Sequence, residues 1–477
     1  MITSYLAANA VILPMSGWLS SHLGRRNYFL MSIAVFTLAS MLCGLATSLI
    51  QIIFFRALQG LAGGGLQPSS QAILLDSFPA EKQGAAMTVF GLAALTGPIV
   101  GPTVGGWLVV QYDWRWIFYV NVPVGVLALV AIYFLVDDPD YLKQQRADLA
   151  RQGLNLDFIG FGLLALVMAC WEVVLSKGQE WDWLGDPFWR IQTLSLCFAI
   201  GIVVLFFHEM SISDPLIEFR VLTERNFAVS CVTIFFAFAC LYAASISLPA
   251  MLQELFGYDA LVSGLVMSPS GFSSIAAMVV VGFLMGRRFD ARWLIVVGLI
   301  IMSLANYWMA YMNILISPSQ VAWPRIVMTA GLGLIFAPIN VAAFVYTPQR
   351  LRGAAVGLLA LLRNEGGSFG TSMSQTIQER REQFHLSRLD DTLGQLNPHV
   401  QSFFTGGSNF FSHITSDPVR SRQMTLQTLA DLREQQASSL AYFDVFWICA
   451  VVGAALVFLV LLMKPAVPKE GSHVAAE

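Results

Sequence analysis

In the run Phe55-Arg56-Ala57-Leu58-Gln59-Gly60-Leu61-Ala62-Gly63-Gly64-Gly65-Leu66-Gln67, one guanidinium stands in largely apolar surroundings. A charge at membrane depth is costly and faces a bundle interior or a cavity. Arg56, Gly60, Gly63 and Gln67 fall at i, i+4, i+7 and i+11, which is one face of a helix, with Gln59 beside them. The chemistry open to this face is binding. Arg56 lines a substrate path with Gln59 and Gln67, or it caps the carbonyls of neighbouring helices. A second polar island is Arg363-Asn364-Glu365-Gly366-Gly367-Ser368. Arg363 and Glu365 are two apart and point to nearly opposite faces, so one faces a cavity and the other a neighbouring helix. Glu365 is a candidate coupling carboxylate, an acid whose proton competes with substrate, or else a structural one. Glu172 and Asp444 lie nearer the outer boundary and read as solvated end charges. His208 and Glu209 read as interfacial.

Other residues promise motion rather than binding. Gly97, Gly101 and Gly105 recur every four residues, with Gly106 adjoining, and form a flat stripe that a neighbouring backbone can approach closely. Pro98 and Pro102 each remove a backbone donor and bend that helix. A bend over a groove suits a helix that rocks while sealing a path. Gly17 and Gly24, followed by Arg25 and Arg26, make a tight turn with basic anchors. The six cysteines all lie in apolar runs without a CxxC pair and read as small buried hydrophobes. No span carries a His/Glu/Asp set with metal-ligand spacing, so neither a metal, a cofactor nor enzyme chemistry is expected.

These residues must be positioned by membrane helices. Of the 477 residues, 56% are hydrophobic and 12% charged, and the mean hydropathy is +0.66. Soluble domains carry about 25% charged residues, so a soluble fold is excluded. A net charge of -3 offers nothing to nucleic acid. Apolar runs fall near 2–19, 28–49, 52–75, 87–110, 117–135, 157–175, 191–207, 227–249, 262–285, 293–312, 324–346, 354–376 and 441–463. Thirteen spans predict an all-α polytopic membrane protein. Lys and Arg concentrate in one set of connections, including Arg25, Arg26, Lys82, Arg146, Arg225, Arg287, Arg292 and Lys464. Only Arg115, Lys177, Arg190 and Arg325 fall among the others. The basic set and the C-terminus are therefore expected in the cytoplasm, which leaves Met1 outside and implies an absent first helix. The polar stretch 377–440, expected outside, is long for a connection.

The motif strings also carry a resemblance. Gly17 to Arg26 resembles the cytoplasmic signature of the major facilitator superfamily, with Ser21 and His22 in place of its Asp and first Arg. Arg56 to Gly60 resembles its R-x-x-Q-G signature. Gly97 to Gly106 is similar to the antiporter signature G-x-x-x-G-P-x-x-G-G. Trp114-Arg115-Trp116-Ile117-Phe118-Tyr119-Val120-Asn121-Val122-Pro123 matches a signature of the fourteen-helix drug:proton antiporters. The whole chain resembles that family in its EmrB/QacA type, and the stretch 377–440 is similar to the EmrB branch. The resemblance implies the major facilitator fold: an N-terminal bundle over 1–135 lacking its first helix, two additional helices over 157–207, and a C-terminal bundle over 227–463. It implies multidrug efflux of amphipathic compounds, coupled to protons, across a bacterial inner membrane, with a periplasmic adaptor and an outer-membrane channel as partners. Two alternatives stay open: an exporter of one siderophore, fatty acid or antibiotic, and a transport-inactive sensor or scaffold.

Overall fold

A computed structural model of the chain describes residues 2–77, 90, 93, 97, 101, 104–136, 157–212, 215–287, 289–313, 317–348, 351–394, 397–415 and 417–466. In the first part the apolar runs form α1 (Ile2–Leu23), α2 (Arg25–Leu45), α3 (Leu49–Gly64), α4 (Leu66–Ser77), α5 (Trp116–Tyr119) and α6 (Asn121–Leu135). Next come α7 (Phe158–Lys177) and α8 (Arg190–Ser211). The remainder forms α9 (Arg225–Glu254), α10 (Ala260–Met267), α11 (Pro269–Gly286), α12 (Ala291–Ala310), α13 (Pro318–Phe344), α14 (Arg352–Thr392), α15 (Pro398–Thr415) and α16 (Pro418–Leu461). Side chains that satisfy the free amides of a first turn set several starts. Ser48 accepts from the Gln51 amide, Asp157 from Gly160, Asp259 from Val262 and Asp417 from Val419.

Among the described residues, ten helical stretches are long and apolar enough to cross a membrane. Two more of the thirteen expected spans coincide with α1 and α14. The span expected over 87–110 lies largely outside the described residues. In the first bundle α3 packs on α1 and α2, and α6 packs on α2. In the second, α9, α11, α12, α13, α14 and α16 enclose a core that includes Phe227, Leu248, Met251, Ile295, Leu299, Tyr442 and Phe446. The bundles meet where α1 lies against α14. The pair α7–α8 stands at this seam, with α7 touching both α1 and α14. The turn between α7 and α8 is tied by Asp186, which accepts from the Arg190 side chain (3.1 Å) and from the Phe188 and Arg190 amides. The Arg190 guanidinium, with these amides, holds the Asp186 carboxyl well below the usual carboxylate range.

One end of the second bundle gathers residues of the basic set. Asn226 exchanges two hydrogen bonds with the Lys464 backbone (2.8 and 3.0 Å), and Arg292 donates to the Met463 carbonyl (3.2 Å). At the other end the polar stretch beyond residue 376 is mostly helical. Helix α14 runs for 41 residues and α16 for 44, about 60 Å or more each at 1.5 Å per residue. A span needs about 20 residues, so both helices continue far beyond one as paired arms. Arg433 reaches Asp390 at 2.5 Å, and Asp444 accepts from Arg381 (2.5 Å) and lies 2.8 Å from His385. Asp444 is therefore an ion-pair partner between the arms rather than a solvated end charge. Helix α15 folds back on α16, where Gly407 fits against Thr425.

Candidate functional site

The face proposed around Arg56 runs from α3 into α4 through Gly65, which keeps helical dihedrals. Helix α3 ends at Gly64, and Gly65 lies against the Tyr28 ring where any side chain would collide. Gln67 belongs to α4. Arg56 donates to Gln59 (3.2 Å), which is 2% exposed. Its guanidinium lies over the rings of Phe118 (4.7 Å) and Tyr5 (5.7 Å), a cation–π arrangement that favours a desolvated cation. Gln67 crosses to the second bundle and accepts from Arg363 at 2.8 Å. Arg363 in turn lies 5.9 and 5.7 Å from the Phe238 and Phe336 centroids. Two arginines, two glutamines and four aromatic rings are thus distributed over both bundles. Neither arginine has a carboxylate partner among the described residues. A guanidinium set among rings in this way can take an acidic or hydrogen-bond-accepting head while the rings take the apolar body of an amphipathic molecule.

Glu365 points the other way from Arg363, as the two-residue spacing requires. It is 4% exposed, and among the described residues no donor meets its carboxylate in full hydrogen-bond geometry, although the Trp171 and Asn364 side chains stand next to it. The groups around it are Glu172, Trp171 and Asn364. Glu172 is itself only 1% exposed, and Ser368 Oγ lies 2.8 Å from each of its oxygens. The expectation of a solvated end charge at Glu172 is overturned, because α14 covers the end of α7 that carries it. Position along a span does not reveal which helix lies across from it. The signal available in the sequence was a lone acid inside the apolar run Ala169-Cys170-Trp171-Glu172-Val173. Arg325, grouped above with the outer connections, is likewise buried. It donates to Ser245 at 2.6 Å. Glu209, read as interfacial, is buried and accepts from the Ile217 amide (3.2 Å), while His208 lies 3.0 Å from Asp157.

The motion-bearing residues are placed in part. Gly24, with φ of 87°, is the joint between α1 and α2, a conformation open to glycine. Gly17 lies within α1. Arg25 opens α2, and Arg26 donates to the Tyr133 carbonyl (2.6 Å) and lies over the Tyr133 ring. Around Gly97, Gly101 and Gly105 nothing among the described residues lies within 4 Å of where a Cβ would stand. Gly106 is half-buried. Pro98 and Pro102, with the side chains of Ser21 and His22, lie outside the described residues. Close helix contact through glycine occurs instead at Gly60 and Gly64 against the Tyr5 and Asn9 carbonyls. It recurs at Gly366 and Gly370 against Phe235 and Ala239.

The pattern of the Major Facilitator Superfamily matches residues 1–371, well over half of the chain. The chain belongs to the Major Facilitator Superfamily. Multidrug export protein EmrB of Escherichia coli K12 is 28% identical over 473 residues, covering 98% of this chain and 87% of that protein. EmrB of Haemophilus influenzae is 30% identical over 469 residues, covering 98% and 88%. The fatty acid resistance protein FarB of Neisseria gonorrhoeae is 26% identical over 465 residues, again covering 98% and 88%. These relatives bear out the resemblance to the EmrB type. Among solved structures, the human organic anion transporter MFSD10 (TETRAN) shares the fold. Its TM-score is 0.57 and its identity 14%, over 96% of this chain and 82% of that one. As a superfamily member, this is an all-α multi-pass membrane transporter.

Proposed function

We propose that this protein exports amphipathic toxic compounds across the bacterial inner membrane in exchange for protons. The observation that carries the reading is Glu365, an acid buried where α14 meets α7, with no cation paired to it among the described residues. It stands two residues from the arginine that helps form the aromatic binding surface. Helix α14 thus presents a proton acceptor on one side and a substrate contact on the other, so that movement of one helix links the two. Rocking of the bundles about α1 and α14 alternates access, with the glycine stripe over 97–105 lining the moving seal. The names of the relatives, multidrug export and fatty acid resistance proteins, support export as the direction. The basic residues gathered at one end of the second bundle support a cytoplasmic C-terminus. The helical arms then project into the periplasm, where they meet an adaptor protein that leads to an outer-membrane channel.

The test uses inside-out vesicles energised to an acidic lumen. Adding substrate is expected to dissipate the pH gradient as protons leave in exchange. Glu365→Gln is expected to abolish that response. Substrate accumulation by the unaltered protein with no change in the gradient overturns the proton-coupled reading.

A second reading, a narrow-substrate exporter of acidic amphiphiles such as fatty acids, is favoured by the binding surface itself. Arg56 and Arg363 stand among aromatic rings without a carboxylate partner among the described residues. Competition of a long-chain fatty acid against a cationic dye of equal hydrophobicity separates the readings. Displacement by the acid alone supports the narrow one.

A further inference from the structure

We propose that Glu172 of α7 and Glu365 of α14 share one proton, so that the additional helix pair α7–α8 supplies half of the proton-binding site. The proposal rests on the proton-coupled reading above and assigns a second residue and a second helix to it.

Ionised carboxylates are acceptors only, so two of them facing each other cannot bond, whereas one carboxylic acid can donate to the other. Ser368 donates its single hydroxyl proton to Glu172. Glu365 is one turn before Ser368 on the same face of α14, which sets it against Glu172, and the Trp171 indole and Asn364 amide stand beside it without reaching full hydrogen-bond geometry. Buried polar groups in native folds are almost always partnered. A proton on one carboxyl supplies a donor and at the same time removes the cost of two adjacent buried charges.

The surroundings are built to hold this state. Trp171 stacks between Phe198 of α8 (5.0 Å) and Phe369 of α14 (6.3 Å, nearly parallel), and Phe235 of α9 packs on Phe369 (5.5 Å). Both carboxylates are buried beside this row of rings. One turn further on, Ser372 donates to the Leu175 carbonyl and fixes the register of α14 on α7. Tyr242 of α9 is a titratable group that packs on this stretch of α14, against Gly367. No Arg, Lys or His among the described residues acts on either carboxylate. Arg363 lies on the opposite side of α14. Neutralisation of the pair therefore falls to a proton rather than to a cation. Loss of that proton leaves two negative charges across the α7–α14 contact, which drives the contact apart at the seam where the two bundles meet. Deprotonation and opening are thereby one event, and α7 is a moving part of the transporter.

The experiment measures protons released when substrate binds to the purified full-length protein, as a function of pH. Glu172→Gln removes a neighbouring charge, and it is expected to move the midpoint of release down by about one pH unit, a tenfold change in proton affinity. Ser368→Ala removes a donor from the ionised form and is expected to move the midpoint up. Substrate binding itself, read by tryptophan fluorescence, is expected to persist in both variants. A midpoint unchanged in Glu172→Gln, with release still abolished in Glu365→Gln, overturns the shared proton while leaving coupling at Glu365 intact. Release in Glu365→Gln with the midpoint and amplitude of the unaltered protein overturns the coupling reading as well. If Glu172→Gln does not fold, Ser368→Ala carries the test: an upward shift supports the pair, and no shift overturns it.

Discussion

Arg56 is held by an amide oxygen and two ring faces, which makes it a cation kept ready rather than neutralised. An arginine at mid-span costs about 3 kcal/mol on insertion, so Arg56→Ala is expected to insert at least as well as the unaltered chain. It is expected to abolish export, and Arg56→Lys to restore little, because a point charge cannot both donate to Gln59 and lie flat between two rings. Normal resistance in cells carrying Arg56→Ala at the unaltered expression level would assign the guanidinium to packing. On the arm, burial first, and then Glu254, Glu434 and Glu379, push the Glu382 carboxyl up. A folded-state value above the unfolded one means that the charged form weakens the fold. Its contribution is fully favourable below the unfolded carboxyl's range and is lost as pH rises through the raised value. Glu382→Gln is therefore expected to raise the melting temperature of the purified protein at neutral pH and to leave it unchanged below about pH 4. An equal gain at both would trace the effect to the amide and not to the charge.

At the scale of elements, two sets of glycines have different surroundings. Gly366 and Gly370 let α14 lie directly on the backbone of α9, and any side chain there meets the Phe235 or Ala239 carbonyl. Gly370→Ala is expected to destabilise the second bundle by about 1–3 kcal/mol, as overpacking of a close contact does. The reduced fraction of monodisperse protein after heating measures it. Gly101 has open space around its Cβ position among the described residues. Gly101→Leu is expected to yield folded protein that no longer exports, because the stripe closes on a neighbour in another conformation of the cycle. Gly101→Ala is expected to retain partial export. Equal export by the Leu and Ala variants would show that the stripe faces lipid.

For the whole molecule, the arms extend the second bundle far past the length of a span, and α15 exposes Phe410 and Ile414 on them. Apolar side chains on a polar helical projection suit docking to a partner. Replacing 385–435 by a short Gly/Ser linker is expected to spare substrate binding in detergent and to remove resistance in cells with an intact outer membrane. Full resistance in such cells would show that the arms do not dock. Loss of binding in detergent would show instead that they cover the outer mouth of the cavity.

The sequence by itself determined the class and the family. Charge content and apolar run length require membrane helices whatever their arrangement. The strings around Gly97 and Trp114 are specific because their chemistry is local: a proline bends the helix that contains it, and an interfacial tryptophan needs only an interface. The helical nature of the arms was half legible, in the apolar spacing of 423–433, but their pairing was not. The pairings at the site were not legible either. Gln67 and Arg363 are 296 positions apart, and Ser368 and Glu172 are 196 apart. Spacing along the chain specifies which residues share a helix face. Which helix covers that face depends on packing between the bundles, and that packing alone turned Glu172 from an end charge into the partner of Glu365.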